Sequence, residues 1–593
     1  MGAGSVYVYR ADGTLLSTLT GSSINAHVGR GGIVLLGGNR FVVVSPEWNN
    51  GTATQAGAVT FIDGSVGLSG VVSASNSLVG TSESDRVGYV TTLSNGNYVV
   101  ASSTWDSGTT VDLGAVTWCD GASGCVGNVS SSNSLVGTSA GDQVGSSGVT
   151  ALSNGNYVLA SPYWDNGATA DVGAVTWCDG ANGCVGPVSA SDSLVGTSAR
   201  DVVGYPGVTA LSNGNYVVAS ALWANGATAN AGAATWCDGA SACVGEVSAS
   251  NSLVGTSAND NVGHHVTALS NGNYVVASFL WDNGAAVDAG AATWGNGASG
   301  SVGQVSVSNS LVGTRTYDFV GDPGVIALSN GNYVVASSGW DNGATANAGA
   351  ASWGNGASGS VGSVSTSNSL VGKTAGDSVS SAGVTALSNG NYVVASPLWH
   401  NGATDFAGAA TWGNGASGSA GPISPSNSLV GTSRYDEVGD AGLAALSNGN
   451  YAVASPHWNN GAMTSVGAVT WASGASGSVG AVSGSNSLVG TSAYDQVGDS
   501  VTASRNGDYV VASPHWNNGA TADAGAVTLL SGNFRFVGTI APWNSVIGGV
   551  ARGGQRMSHD YDHGLQRLIV GRPAENIVTL FTMDQIFADG FQP

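Results

Sequence analysis

Six cysteines stand in three pairs, Cys119 with Cys125, Cys178 with Cys184, and Cys237 with Cys243, each framing one short loop. Other copies of that loop hold Gly295 with Ser301, Gly354 with Ser360, or Ala472 with Ser478 at the same two places. Both thiols of a pair are present or both are missing, as a bond between neighbouring hairpin strands requires. Two sulfurs without a histidine suit zinc poorly. The pattern predicts three disulfides and an oxidising compartment, each short loop adding about 2 kcal/mol.

Tryptophan and aspartate recur on the same beat. Trp118, Trp177, Trp236, Trp294, Trp353, Trp412 and Trp471 close a Gly-Ala-x-Thr/Ser run. Trp105, Trp164, Trp223, Trp281, Trp340, Trp399, Trp458 and Trp516 open a loop that usually reads Asp/Asn-Asn-Gly. Large flat rings suit packing between neighbouring sheets. The loop set, with Asp165, Asp282 and Asp341 beside it, also has the make-up of a sugar-stacking surface and is the candidate ligand site. Asp85, Asp142, Asp201, Asp260, Asp318, Asp377, Asp436 and Asp495 precede x-Val-Gly or its variant. There a carboxylate is expected to accept backbone N–H bonds and fix a turn.

Nothing assembles into a catalytic set. Gly295–Gly300 and Gly354–Gly359 fit a dinucleotide fingerprint, but they lie in a hairpin loop with no helix to follow. Gly137-Thr-Ser139-Ala-Gly141 matches the nucleophile elbow by letters alone. The eight histidines show no metal-ligand spacing, and His559-Asp-Tyr-Asp-His563, their one cluster, reads as a solvated loop. Catalysis needs one asymmetric constellation, whereas near-identical copies suit multivalent contact. No catalytic residue, cofactor or metal is expected.

These residues are positioned by repetition. Asn-Ser-Leu-Val-Gly begins at Asn76, Asn133, Asn251, Asn309, Asn368, Asn427 and Asn486, with Asp192 in the fourth slot and a weakened form at Asn544. The spacing is 57 to 59 residues. Within a copy, Asn-Gly separates two apolar runs, as in Ala151-Leu-Ser-Asn154-Gly155-Asn156-Tyr-Val-Leu. This is the signal of a hairpin with a type I′ turn. About four strands per copy and almost no helical periodicity predict an all-β fold, a β-propeller of about ten four-stranded blades in a single ring. Two five-bladed rings and an open β array are the alternatives. The worn first and last copies are read as one blade shared by both ends, with an array over 1–584 and a tail over 585–593.

Composition agrees. Charged residues make up 8% of the chain, Gly numbers 94, and 42% hydrophobic residues with 17 Trp suffice for a core. A net charge of −22 without Lys/Arg clusters excludes nucleic acid and disfavours anionic membrane. No apolar run is long enough to span a bilayer as a helix. The chain opens on strand-like Ser5–Tyr9 rather than on a signal peptide.

Val144-Gly145, then Ala160-Ser161-Pro162, then Gly173-Ala174-Val175 resembles the FG-GAP repeat of integrin α-chain propellers, with Val for Phe and Ala-Ser-Pro for Gly-Ala-Pro. Asp318-Phe319-Val320-Gly321 is a partial variant. The resemblance covers nearly the whole chain and implies a propeller and surface adhesion. Its calcium loop does not carry over, because Leu-Ser-Asn-Gly-Asn-Tyr stands there and offers too little carboxylate. The tail Ile586–Phe591 is similar to a short ending of secreted bacterial proteins. Together these predict a non-enzymatic extracellular or cell-surface protein whose repeated loops bind surface glycans or proteins. A structural subunit of a fibre or coat, self-associating, is the second expectation, and a propeller glycan lyase or hydrolase the third.

Overall fold

Val, Thr, Tyr and Trp runs between Gly- and Asn-rich turns can satisfy their backbone only by pairing side by side. The computed structural model folds them so. It describes residues 2–582; the tail 585–593, with Ile586–Phe591, lies outside the described residues. Among the described residues the one helical element is a 3₁₀ turn, Gly554–Arg556.

The third complete sheet shows the plan. Val149–Ala151, Tyr157–Ser161, Ala174–Cys178 and Ser193–Val195 pair antiparallel in that order. A fifth strand, Gly245–Glu246, arrives from the following copy and lies parallel to Ser193–Val195, Leu194 facing Gly245. The copy's own two-residue strand, Gly186–Pro187, lies the same way on Ser134–Val136 of the sheet before. Eight sheets have five strands in this arrangement. A ninth, over Ser500–Ala503, Tyr509–Ser513, Ala526–Leu530 and Ser545–Ile547, has four.

This corrects the expectation of self-contained four-stranded blades. The strand ending in Ser-Leu-Val has an open edge, and the next copy closes it with a short parallel strand. Nine full sheets form, flanked by three-stranded sheets at either end of the chain (Ser5–Tyr9, Leu15–Thr20, Gly70–Val71; Ser558–Asp562, Arg567–Arg572, Ile577–Thr582). Among the described residues two compact units are distinguished, 2–268, 272–281 and 294–305 in one, and 269–271, 282–293 and 306–582 in the other.

The Asn-Gly turn also differs from the type I′ expectation. Leu152 N donates to Asn156 O at 2.8 Å and Gly155 N to Leu152 O at 3.2 Å, so the loop has three residues. Only Gly155 takes a positive φ, 95°, and Asn154 stays on the ordinary side. The asparagine side chains are engaged elsewhere. Asn156 Oδ1 accepts from Gly180 N (3.1 Å) in its own copy, while Asn156 Nδ2 donates to Gly239 O (3.1 Å) in the next. Gly239 N then donates to Asn215 Oδ1, whose Nδ2 reaches Gly297 O. In one unit this chain of amides runs from Gly121 to Asn273. In the other it runs from Gly356 to Asp508. Trp177 Nε1 and Asn154 Nδ2 donate to the same Gly239 carbonyl at 2.9 and 2.8 Å.

Cores lie between consecutive sheets. Val99, Val116 and Leu135 of the second pack with Tyr157, Leu159 and Trp164 of the third. The backbones approach so closely that a Cβ on Gly173, already at φ +76°, would sit 2.3 Å from Val203 N. All three expected disulfides are formed, with Cα–Cα distances of 5.3 to 5.6 Å. Cys178–Cys184 closes the loop that carries the chain from Ala174–Cys178 toward the preceding sheet. Gly183 of that loop lies on Trp118 of the previous copy, where a Cβ would come within 2.5 Å of the Trp Cβ.

Two outcomes follow. Replacing Asn156 with Ala leaves the buried Gly180 N–H without its acceptor, a loss of about 1–3 kcal/mol, read as a lower denaturation midpoint. Burial also pushes the Tyr98, Tyr274, Tyr333 and Tyr392 phenols up to about 12. The unfolded chain ionises these groups near pH 10, so the folded state holds more protons from there up to about 12. Their contribution is complete below that window and lost as pH rises through it. Denaturant titrations at about pH 9 and about pH 11 are expected to show the lower stability at the higher pH.

Candidate functional site

The recurring Asp is the anchor of the loop cluster from the second sheet to the ninth. Asp142 is fully buried. Its Oδ2 accepts from Thr138 N at 2.6 Å and Ser139 N at 2.8 Å, and its Oδ1 from Asp165 N at 3.0 Å. Asp85, Asp201 and Asp318 repeat the three bonds. Asp377 adds His400 Nδ1 at 2.9 Å, and Asp436 and Asp495 add the side-chain amides of Asn459 and Asn517 at 2.8 Å. Desolvation raises the carboxyls of Asp85 and Asp318 above the ordinary range despite these donors. The expected turn-fixing role holds for these acids.

The bond from Asp165 N to Asp142 hangs the tryptophan loop from that anchor. Asp165 Oδ1 then closes the loop by accepting from Asp171 N at 2.8 Å, as Asp282 does from Asp288 N and Asp341 from Asn347 N. The loop tryptophan is turned inward. Trp105, Trp164, Trp223, Trp281, Trp340, Trp399, Trp458 and Trp516 are between 3% and 5% exposed. The sugar-stacking expectation for these rings is corrected, because a ring packed between two sheets has no face to offer a ligand. Trp164, for example, lies among Tyr157, Val172 and Val116.

Three positions beside this anchor vary from copy to copy. In most of the turns leading into a first strand, the residue before Val-Gly accepts a backbone bond from the residue after that pair. Examples are Ser146 N to Gln143 O (2.9 Å), Tyr205 N to Val202 O (3.0 Å) and Asp440 N to Glu437 O (2.9 Å). The third position precedes the loop tryptophan. The sets are Gln143, Ser146 and Tyr163 at the third sheet, Val202, Tyr205 and Leu222 at the fourth, and Glu437, Asp440 and His457 at the eighth. At the first sheet His27 and Arg30 both bond Glu47 Oε2 at 2.7 Å. At the eighth, His457 Nδ1 lies 2.5 Å from Asp440 Oδ2 and 3.2 Å from Glu437 Oε2. Burial raises the Asp440 carboxyl. The sequence reading missed this grouping, although Glu437-x-x-Asp440 within the fixed turn and the His of Pro456-His457-Trp458 were its signal.

The other histidines form no further metal-competent grouping among the described residues. His559 lines a cavity of about 410 Å³ with Asp499, His515 and Met557, and burial lowers its imidazole. His563 instead meets the edge of Tyr561, 5.3 Å between ring centres.

A family model described as a repeat of unknown function, DUF5650, matches residues 35–89, 92–146, 151–205, 210–264, 268–322, 327–381, 386–440, 445–499 and 503–554. The chain belongs to this family. Eight of the nine DUF5650 matches end on the residue that closes the variable turn, from Tyr89 to Asp499. No curated protein matches the chain. Among solved structures, a streptogramin B lyase aligns at TM-score 0.27 and 9% identity, over 63% of this chain and 93% of the lyase. PorZ, a surface component of the type-IX secretion system of Porphyromonas gingivalis, aligns at 0.19 and 11%, over 91% and 70%. A GH74 enzyme of Niastella koreensis aligns at 0.17 and 11%, over 91% and 70%.

If the loop tryptophans of these DUF5650 copies are core, Trp164→Ala costs about 3–5 kcal/mol, measured by chemical denaturation. A ring serving only a ligand leaves the midpoint unchanged.

Proposed function

We propose that the chain is a non-enzymatic extracellular scaffold that binds surface glycans or proteins through side chains on repeated turns, an adhesive role. One observation carries this reading. The recurring acids and the loop tryptophans are committed to the frame, while residue identity changes from copy to copy at three turn positions, most of them partly exposed. A constant frame with variable outward positions is the layout of a recognition surface, and many such positions in one chain give avidity. Tyr89, Tyr163 and Tyr205 among them are 73%, 43% and 44% exposed, and exposed aromatics suit glycan or protein contact. Three disulfides support an oxidising, extracellular setting. The Val-Gly turn and the Ala-Ser strand further support kinship with FG-GAP propellers.

A second reading, a structural subunit of a fibre or coat, draws on a different surface. Val126, Val185, Val244, Val302, Val361 and Val479 are 53% to 64% exposed, each immediately before the two-residue strand that reaches the preceding sheet. Exposed valines repeated from copy to copy suit lateral association.

Glycan arrays and intact-cell binding with the purified chain test the first reading. Selective binding that weakens on Tyr89→Ala, Tyr163→Ala and Tyr205→Ala together is expected. Absence of selective binding, with filaments forming on concentration, overturns it in favour of the second.

A further inference from the structure

We propose that Glu437, Asp440 and His457, at the turn leading into the eighth sheet, form a binding site for one divalent first-row transition-metal ion of the zinc class. The ligand atoms all lie within 4.8 Å of one another, and this is the one such grouping among the described residues. Both carboxylates come from a single turn. Glu437 adopts φ +44°, and the Asp440 N to Glu437 O bond brings the two side chains to one side. His457 is delivered by the neighbouring turn, fixed by Trp458 N donating to Ser455 O at 3.1 Å and by the buried Trp458 ring. The set is therefore held by the frame that every copy shares.

The local chemistry suits a cation. His457 Nδ1 lies 2.5 Å from Asp440 Oδ2, a spacing that one proton bridges; two ligands of a tetrahedral zinc-class ion stand about 3.3 Å apart, so the ion is taken up with a small rotation of the imidazole. One proton on Nδ1 serves one carboxylate well, and a second carboxylate oxygen stands 3.2 Å away. Asp440 Oδ1 is buried and has no hydrogen-bond partner. A divalent ion neutralises both carboxylates and accepts the imidazole nitrogen at once. The side chains of His457, Glu437 and Asp440 are 43%, 28% and 17% exposed, so the site has an entry path and room for water as a further ligand. A ligand set with nitrogen selects a zinc-class ion over calcium or magnesium, which prefer oxygen alone.

Other copies show why the site is local. At the first sheet the same positions hold His27, Arg30 and Glu47, and the arginine supplies the positive charge itself. At the ninth, Gln496 replaces the glutamate, and His515 Nδ1 lies 3.5 Å from Asp523.

The experiment uses the full chain, stripped with chelator, and calorimetric titration with Zn²⁺, with Co²⁺ as a spectroscopic probe. One site per chain is expected. Glu437→Gln, Asp440→Ser and His457→Tyr together install the residues of the third sheet, a set the fold already carries, and are expected to abolish that site while the thermal midpoint of the metal-free chain stays put. In reverse, Gln143→Glu, Ser146→Asp and Tyr163→His together are expected to raise the stoichiometry to two. Zn²⁺ binding that survives the first triple change overturns the proposal. So does a stoichiometry that stays at one after the second, or a Ca²⁺ affinity equal to that for Zn²⁺.

Discussion

The structure depends on one hydrogen-bonded relay. A glycine N–H donates to an asparagine Oδ1 in its own copy, and that asparagine's Nδ2 donates to the equivalent glycine carbonyl in the next. Each amide thus has its acceptor and donor ends in different copies, so neither copy satisfies its buried polar groups alone. The carbonyl at the junction also takes an indole N–H and a second amide. Removing one copy strands several polar groups at both of its borders, which makes the array cooperative between neighbours.

Every other device reinforces that border. The two-residue parallel strand closes the preceding sheet's edge, and the disulfide loop rests on the preceding tryptophan. Small residues are required at these contacts, since Cβ atoms at Gly173 or Gly183 would overlap the neighbouring copy. The low charge content follows from the same arrangement. Where borders are built from amides and apolar rings, a buried charge costs desolvation unless it is fully bonded. The recurring Asp is that exception, with backbone donors on both of its oxygens.

A frame so completely committed to itself leaves function to the residues it does not use. The three turn positions take His, Arg and Glu in one copy, Gln, Ser and Tyr in another, and Glu, Asp and His in a third, without changing the turn that holds them. Near-identical copies thereby present unlike surfaces, and the asymmetry a specific site needs arises from point variation on a symmetric scaffold.

The sequence by itself determined the repeat, its length, the all-β class, the disulfide pairs and the turn-fixing role of the recurring Asp. These are local, set by hydrophobic alternation, turn residues and paired cysteines a few positions apart. The tertiary structure decided what depends on partners some sixty residues away. It turned the loop tryptophans into the core, because whether a ring faces solvent or the next sheet is fixed by sheet packing and not by the Asn-Gly beside it. It made the fifth strand a loan between copies, since Gly186–Pro187 is too short to announce itself as a strand. It also drew Glu437, Asp440 and His457 together from two separate turns.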